Sequence, residues 1–297
     1  MAVNEPLEIS LKNVLDYFIV QNNEYRFVTK DFGIVSSFMR MTSELFFIHQ
    51  PYKLKEGRIV YAVSGQVTLS INLIQYTAKK GDLLLLAPNS IIEIHEFTTD
   101  FEMRMMAIQN DFIQFLNKDE VLEYYIGRRE NLFLPLSEKD YEMTERYFFL
   151  IWDTVHEEVF RKEVVQSLVS ALLFNISYIR KRSKADTETR HTRQEETFHR
   201  FIALVHEYCT QERNVAFYAD KLCLSPRYLN TLVKNTSRQT VMEWLNQAVV
   251  IESKVLLKHS DLLVYQIADK LNFPNPSFFC KFFKKMTGMT PMEYQKS

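Results

Sequence analysis

Between Glu44 and about Gln109, apolar residues come in short runs: ELFFIHQ, RIVYAVSG, QVTLSINL, GDLLLLAP, SIIEIHEF and FEMRMMAIQ. Turn formers at Gly57, Gly65, Gly81 and Pro88-Asn89 separate them. Short strands at this spacing predict a small β-barrel or sandwich. After Asn110 the period lengthens. From Ser137, the residues Met143, Tyr147, Leu150, Ile151, Thr154 and Val155 fall at helical spacing, and Val165, Leu168, Leu172, Ile176 and Ile179 form a second such stripe. The two predict an antiparallel helical pair. Because twofold dimers are the commonest closed assembly, the second stripe is also a candidate homodimer face. The stretch Arg180 to Glu196, RKRSKADTETRHTRQEE, has no apolar periodicity and reads as an exposed linker. From Phe198 to Pro291 the pattern is helical again, with no glycine before Gly288. The predicted class is therefore α+β and multidomain: residues 1–180 a β-barrel or sandwich with a helical pair, 181–196 a linker, and 197–297 an all-α domain.

The all-α part contains an internal repeat. Ala219-Asp220-Lys221-Leu222 recurs as Ala268-Asp269-Lys270-Leu271, and each copy is followed by a short break and then Ser225-Pro226 or Asn275-Pro276. Ser or Asn before Pro is an N-cap followed by a first-turn proline, whose missing N–H costs nothing there. Each copy is thus helix, short turn, helix. In the second helices Tyr228, Leu229, Leu232 and Val233 correspond to Phe278, Phe279, Phe282 and Phe283, which predicts one apolar face in each. The other face carries Arg227, Asn230, Thr231 and Lys234 in the first copy, and Ser277, Cys280, Lys281, Lys284 and Lys285 in the second. Such a face can set guanidinium, amide and hydroxyl groups against base edges while lysines meet phosphates. Between the copies, a helical run from Thr240 to Leu257 spans roughly 27 Å at 1.5 Å per residue. A stiff connector of that length suits two helices about one duplex turn apart, in successive major-groove segments.

Charge changes this picture little. The net charge of −1 divides into −7 over the first 180 residues, +3 over residues 181–194 and +3 over residues 195–297, so the basic part is the repeat and its approach. Six glycines occur without a phosphate-cradling pattern, which argues against a nucleotide-dependent enzyme. Cys209, Cys223 and Cys280 lie far apart with no C-x-x-C, as expected of reduced thiols in the cytoplasm. The N-terminus MAVNEPLEIS carries no signal-peptide pattern, and the longest apolar run is broken by Ser170, Asn175 and Ser177, so no membrane association is expected.

The segments YADKLCLSPRYLNTLVK, IADKLNF, SFFCKFFKK and TGMTPMEY resemble the DNA-binding domain of AraC/XylS-type bacterial regulators over about residues 198 to 295. The resemblance implies groove-lining roles for Arg227, Asn230 and Thr231 in the first copy and for Ser277, Phe278 and Lys281 in the second, with Lys234 and Lys284 on the DNA backbone. The chain departs from the family in having Arg238 and Asn272 where glycine is usual, Val249 where the connector usually has arginine, and Thr231 where many members have arginine. Asn tolerates the left-handed conformation. At Arg238 the turn is expected to differ, and with Thr231 in place of arginine direct base readout by the first copy is expected to be weaker, so that most discrimination falls to one copy.

The same resemblance implies a cupin-like sensor barrel in the strand region, followed by dimerising helices. A metal-binding cupin needs an H-x-H with a downstream Glu and His. This chain has isolated His49 and His95, the latter beside Glu96, so both read as ordinary strand histidines and no metal or cofactor is expected. Phe46, His49, Tyr52 and Tyr61 either line a small-molecule pocket or fill the barrel core; aromatics usually do the latter. The expected function is sequence-specific, DNA-binding transcription regulation, not catalysis. The partners are double-stranded DNA, a second copy of the chain, a small-molecule effector and RNA polymerase. A cupin-type metal-dependent enzyme and a protein-binding adaptor on a helix-turn-helix scaffold stay open as alternatives.

Overall fold

The computed structural model describes residues 8–11, 24–37, 40, 48–113, 131–187 and 193–296. They fall into two compact units, one over Glu8–Glu188 and one containing Thr189–Ser297. The first is a two-sheet β-sandwich with two helices and the second is all helical, the α+β multidomain class that the hydrophobic pattern predicts.

In the first unit, strands β1 (Glu8–Ile9), β4 (Pro51–Leu54), β9 (Ile91–Phe97), β6 (Gln66–Ile71) and β7 (Ile74–Lys79) lie side by side in that order in one sheet. The other sheet has the order β11 (Leu132–Pro135), β8 (Asp82–Leu86), β5 (Gly57–Ser64), β10 (Glu102–Ile108), β3 (Phe32–Val35) and β2 (Arg26–Val28). Pairing is antiparallel except between β1 and β4. In the second sheet, strand alternation puts Ile59 opposite Leu85 and Tyr61 opposite Leu83 on one face. Helix α1 (Glu138–Val155) and helix α2 (Lys162–Thr187) cover that face with Phe148, Ile151, Val165, Leu172, Ile176 and Ile179. Ser137 caps α1, accepting from the Asp140 N–H at 3.2 Å. At the start of α2, Lys162 pairs with Asp31 in the β2–β3 turn. Burial pushes the Asp31 carboxyl up, but hydrogen bonds from Lys162 and Thr29 more than offset it and hold the group below its ordinary range.

Three expectations change here. The candidate dimer stripe is not a free surface: Val165, Leu172 and Ile176 are fully buried, Ile179 nearly so, and Leu168 packs at the edge of the same core. Together with Phe112 and Ile113 the stripe packs on the apolar sheet face, so the chain itself uses it. The expected linker is largely helical, since α2 continues to Thr187 and α3 begins at Arg193. Lys, Arg and Ala in that stretch are good helix formers, and no Gly or Pro interrupts them. Of the expected strand ELFFIHQ, residues 44–47 lie outside the described residues, while His49 sits in a turn at φ 62° and β4 begins only at Pro51.

The second unit runs α3 (Arg193–Tyr208), α4 (Val215–Lys221), α5 (Pro226–Ser237), α6 (Val241–His259), α7 (Val264–Lys270), α8 (Pro276–Thr287) and α9 (Pro291–Lys296). Helix α6 packs against α3, α5, α7, α8 and α9, so the connector is also the scaffold of the unit. Thr240 starts it in a capping box with Glu243, and the Trp244 indole N–H donates to the Ser237 hydroxyl at 2.9 Å, fastening α5 to α6. Among the described residues no helix is long and apolar enough to cross a membrane.

Candidate nucleic-acid interface

Both copies of the repeat build the same corner. After α4 the Leu224 N–H donates to the Ala219 carbonyl at 2.9 Å, and after α7 the Phe273 N–H donates to the Ala268 carbonyl at 2.9 Å. Cys223 (φ 57°) and Asn272 (φ 54°) hold the left-handed position in each. Ser225 then caps α5 by accepting from the Tyr228 N–H at 3.2 Å, and Asn275 caps α8 by accepting from the Phe278 N–H at 3.1 Å, each with proline in the first turn. The second corner contains one extra residue, Pro274, yet ends in the same cap.

The two helices also end alike. Arg238 (φ 61°) and Gly288 (φ 81°) are both left-handed C-caps, and each donates its N–H at 2.9 Å, to the carbonyl of Lys234 or of Lys284. The turn expected to differ at Arg238 therefore keeps the same geometry. An L-residue there costs about 1 kcal/mol that glycine avoids.

The buried side of α5 is Leu229, Leu232 and Val233, and that of α8 is Phe279 and Phe283 with Phe282 half-buried. This arc is narrower than the predicted apolar face. Tyr228 and Phe278 are 49% and 58% exposed, because each stands about 100° back from the first core residue and joins the outer side. Phe278 thus stands on the outer side of α8, and Tyr228 is an outward aromatic that the apolar pattern hid. The repeat signals it, since Tyr228 and Phe278 are equivalent positions.

On the outer side of α5, Arg227, Thr231 and Lys234 are exposed at helical spacing and Asn230 is half-buried beside them. On α8, Ser277, Phe278, Lys281, Lys284 and Lys285 are exposed. The eight predicted DNA-facing residues therefore make two stripes, one per helix. Two of the polar groups are engaged within α5: the Asn230 amide donates to the Pro226 carbonyl and the Thr231 hydroxyl to the Arg227 carbonyl, both at 3.0 Å. A base contact through the Thr231 hydroxyl proton exchanges its bond, whereas the Asn230 amide has a second N–H and its carbonyl oxygen to offer. Behind each stripe sits a capping carboxylate, Glu243 or Glu293. Each is held below the usual carboxylate range first by the backbone N–H and then by the hydroxyl of Thr240 or Thr290, and less strongly by Lys234 or Lys284.

Among the described residues, the expected pocket residues of the first unit do not converge. Phe46 lies outside the described residues. Tyr52 is buried in the apolar face of its sheet, paired with Ile92. Tyr61 is buried in the other sheet against Tyr141 and Phe148, its hydroxyl 3.4 Å from Glu145 Oε1, and burial raises its phenol. His49 is exposed in the turn before β4. The expectation of isolated histidines also changes, for His49, Glu93 and His95 bring donor atoms within 4.8 Å of one another. No H-x-H was needed, because strand pairing joins residues far apart in sequence.

Two helix-turn-helix corners of one design, each presenting an exposed helix with basic and polar groups, define a DNA-binding module. A family profile described as a helix-turn-helix domain matches residues 218–297. The uncharacterized HTH-type transcriptional regulator YijO of Escherichia coli is similar to this chain at 36% identity over 81 residues, 27% of each chain. The arabinose operon regulatory protein of Salmonella typhimurium is 21% identical over 255 residues, covering 84% of this chain and 87% of that protein. Among solved structures, ToxT from Vibrio cholerae aligns with 93% of this chain and 96% of its own at 17% identity, with a TM-score of 0.39. Residues 218–297 are thus a helix-turn-helix domain of the AraC/XylS type.

Proposed function

We propose that the chain is a sequence-specific transcription regulator in which the unit containing residues 189–297 grips two successive major-groove segments and residues 8–188 receive the controlling signal. The observation that carries this reading is the duplicated outward stripe, Arg227-Thr231-Lys234 on α5 and Ser277-Lys281-Lys284 on α8, held by one connector of about 28 Å. Arg227 and Asn230 on α5 and Ser277, Phe278 and Lys281 on α8 are assigned to the groove, with Lys234 and Lys284 gripping the DNA backbone. The working compartment is the cytoplasm, where DNA and RNA polymerase are both within reach.

Control by a small-molecule effector and by homodimerisation belongs to the same proposal. With the α2 stripe buried, the dimer surface passes to the outward sides of α1 and α2, where Leu150 and Tyr178 are 51% and 67% exposed beside Phe149, Val164 and Phe174. Footprinting of the full chain on its own promoter region, with gel shifts across salt, tests the reading. Two protected major-groove segments one turn apart are expected. Lys234→Ala and Lys284→Ala are each expected to weaken binding to all sequences and to lower the salt slope by about 1, whereas Asn230→Ala shifts base preference. Binding no tighter to promoter DNA than to random duplex overturns it.

A further inference from the structure

On β9 the residues alternate. Ile92 and Ile94 are buried in the apolar face, while Glu93 and His95 stand on the partly exposed face. The β6–β9 ladder slips between Thr68 and Leu69, where Leu69 pairs with Ile94 and Thr68 with Glu96, so His95 has no residue opposite it. From the other side, the His49 N–H donates to the Ile94 carbonyl at 2.8 Å and its left-handed backbone turns the side chain onto β9. The two imidazole centroids are then 5.8 Å apart, and His95 Nδ1 is 4.0 Å from Glu93 Oε1. Ser70 Oγ lies 2.6 Å from His95 Nε2. In the tautomer that donates Nε2–H to that hydroxyl, the lone pair of the imidazole is on Nδ1, the nitrogen that faces Glu93.

We propose that His49, Glu93 and His95 form a zinc-binding site, with Ser70 as the hydrogen-bond partner that orients the His95 ring. Two imidazoles and one carboxylate are a donor set of the right hardness for Zn²⁺, and three protein ligands leave a fourth position for water or a ligand atom. Tetrahedral bonds of about 2.0–2.1 Å require donors about 3.4 Å apart. The present separations, all within 4.8 Å, close by rotation of the exposed His49 side chain together with a small turn of the Glu93 carboxylate toward His95. The site lies on the outer face of its sheet, away from the apolar interior occupied by Tyr52 and Ile92. Its consequence is local: the ion ties the turn at residues 48–50 to β9, so zinc raises the stability of the β-sandwich unit.

Isothermal titration of the full chain, first stripped with chelator and then titrated with zinc sulfate, tests this without DNA, so its outcome is separate from that of the regulator reading. One zinc per chain is expected at micromolar concentrations, with a rise in melting temperature. The Co²⁺-loaded chain is expected to show the intense visible bands of four-coordinate geometry. His49→Ala, in an exposed turn where the fold does not depend on the side chain, is expected to weaken binding at least tenfold, as is His95→Ala; Ser70→Ala weakens it about tenfold or more. No heat of binding at tens of micromolar zinc, or an affinity unchanged in His49→Ala, overturns the proposal. Should His95→Ala unfold, the His49→Ala result decides alone.

Discussion

The guanidinium of Arg213 lies 3.7 Å from the centre of the Phe273 ring and also donates to the Leu271 carbonyl. Arg213 is in the loop before the first helix-turn-helix corner, and Phe273 is in the turn of the second. The Asn272 amide adds a bond at 2.8 Å to the Gln211 carbonyl of the same loop. The two corners are therefore joined at two places, by α6 and by this clasp, which sets their mutual orientation more firmly than one helix can. Burial lowers the Arg213 pKa from its ordinary value, although the group stays charged at any working pH.

Arg213→Ala is expected to cost about 1–2 kcal/mol of stability, from the lost cation–π contact and the lost charged hydrogen bond. Because it frees the corners relative to each other, binding to a two-groove site should fall by more than the salt slope predicts for one missing charge. Thermal unfolding and gel shifts over a salt series measure the two effects separately. An unchanged melting temperature would mean that the clasp contributes nothing.

The repeat was legible because every piece of it is local: the four-residue identity and the Ser-Pro and Asn-Pro starts all act within one turn of backbone. What the sequence hid is non-local or shared between two readings. Tyr228 reads as core by polarity and is outside by its angle on the helix. The α2 stripe reads equally as core or interface until the sheet that needs covering is known. His49 and Glu93 are far apart in sequence, and only the β4–β9 pairing and the bulge beside Leu69 bring them to one place.

Arg238 stands where its counterpart is Gly288, and both are left-handed. Arg238→Gly removes the Cβ strain but lets the unfolded chain wander more, so a net gain of about 0.5–1 kcal/mol is expected. A melting temperature higher by a few degrees checks this. A fall would show that the Arg238 side chain makes a stabilising contact worth more than the strain.

The capping boxes carry a pH signature. The Glu243 and Glu293 carboxyls are depressed by the N–H and hydroxyl of Thr240 and Thr290, so their contribution is fully present above the unfolded carboxylate pKa. It is lost as pH falls through the lower, folded pKa. Glu243→Gln keeps an acceptor for the Thr240 N–H but cannot titrate. In acid unfolding followed by circular dichroism, the variant should be less stable than the parent at neutral pH and should lose less on acidification. Parallel acid limbs would show that the charge on Glu243 plays no part in starting α6.

The same two helices yield opposite predictions on their two sides. Leu172 is fully buried between α2 and the sheet, so Leu172→Ala should cost about 2–5 kcal/mol and lower the melting temperature whatever the protein concentration. Leu150 is half-exposed on α1, and Leu150→Glu should leave the monomer's stability within about 0.5 kcal/mol. If the outer side of α1 and α2 is the dimer surface, that substitution buries a charge at the interface and shifts the sedimentation profile to monomer at micromolar concentration. It should also reduce occupancy at paired sites while leaving binding to a single site intact. A Leu150→Glu chain that sediments as the parent does would remove this side of α1 from the dimer interface, and the remaining exposed positions, Val164, Phe174 and Tyr178, would then have to carry it alone.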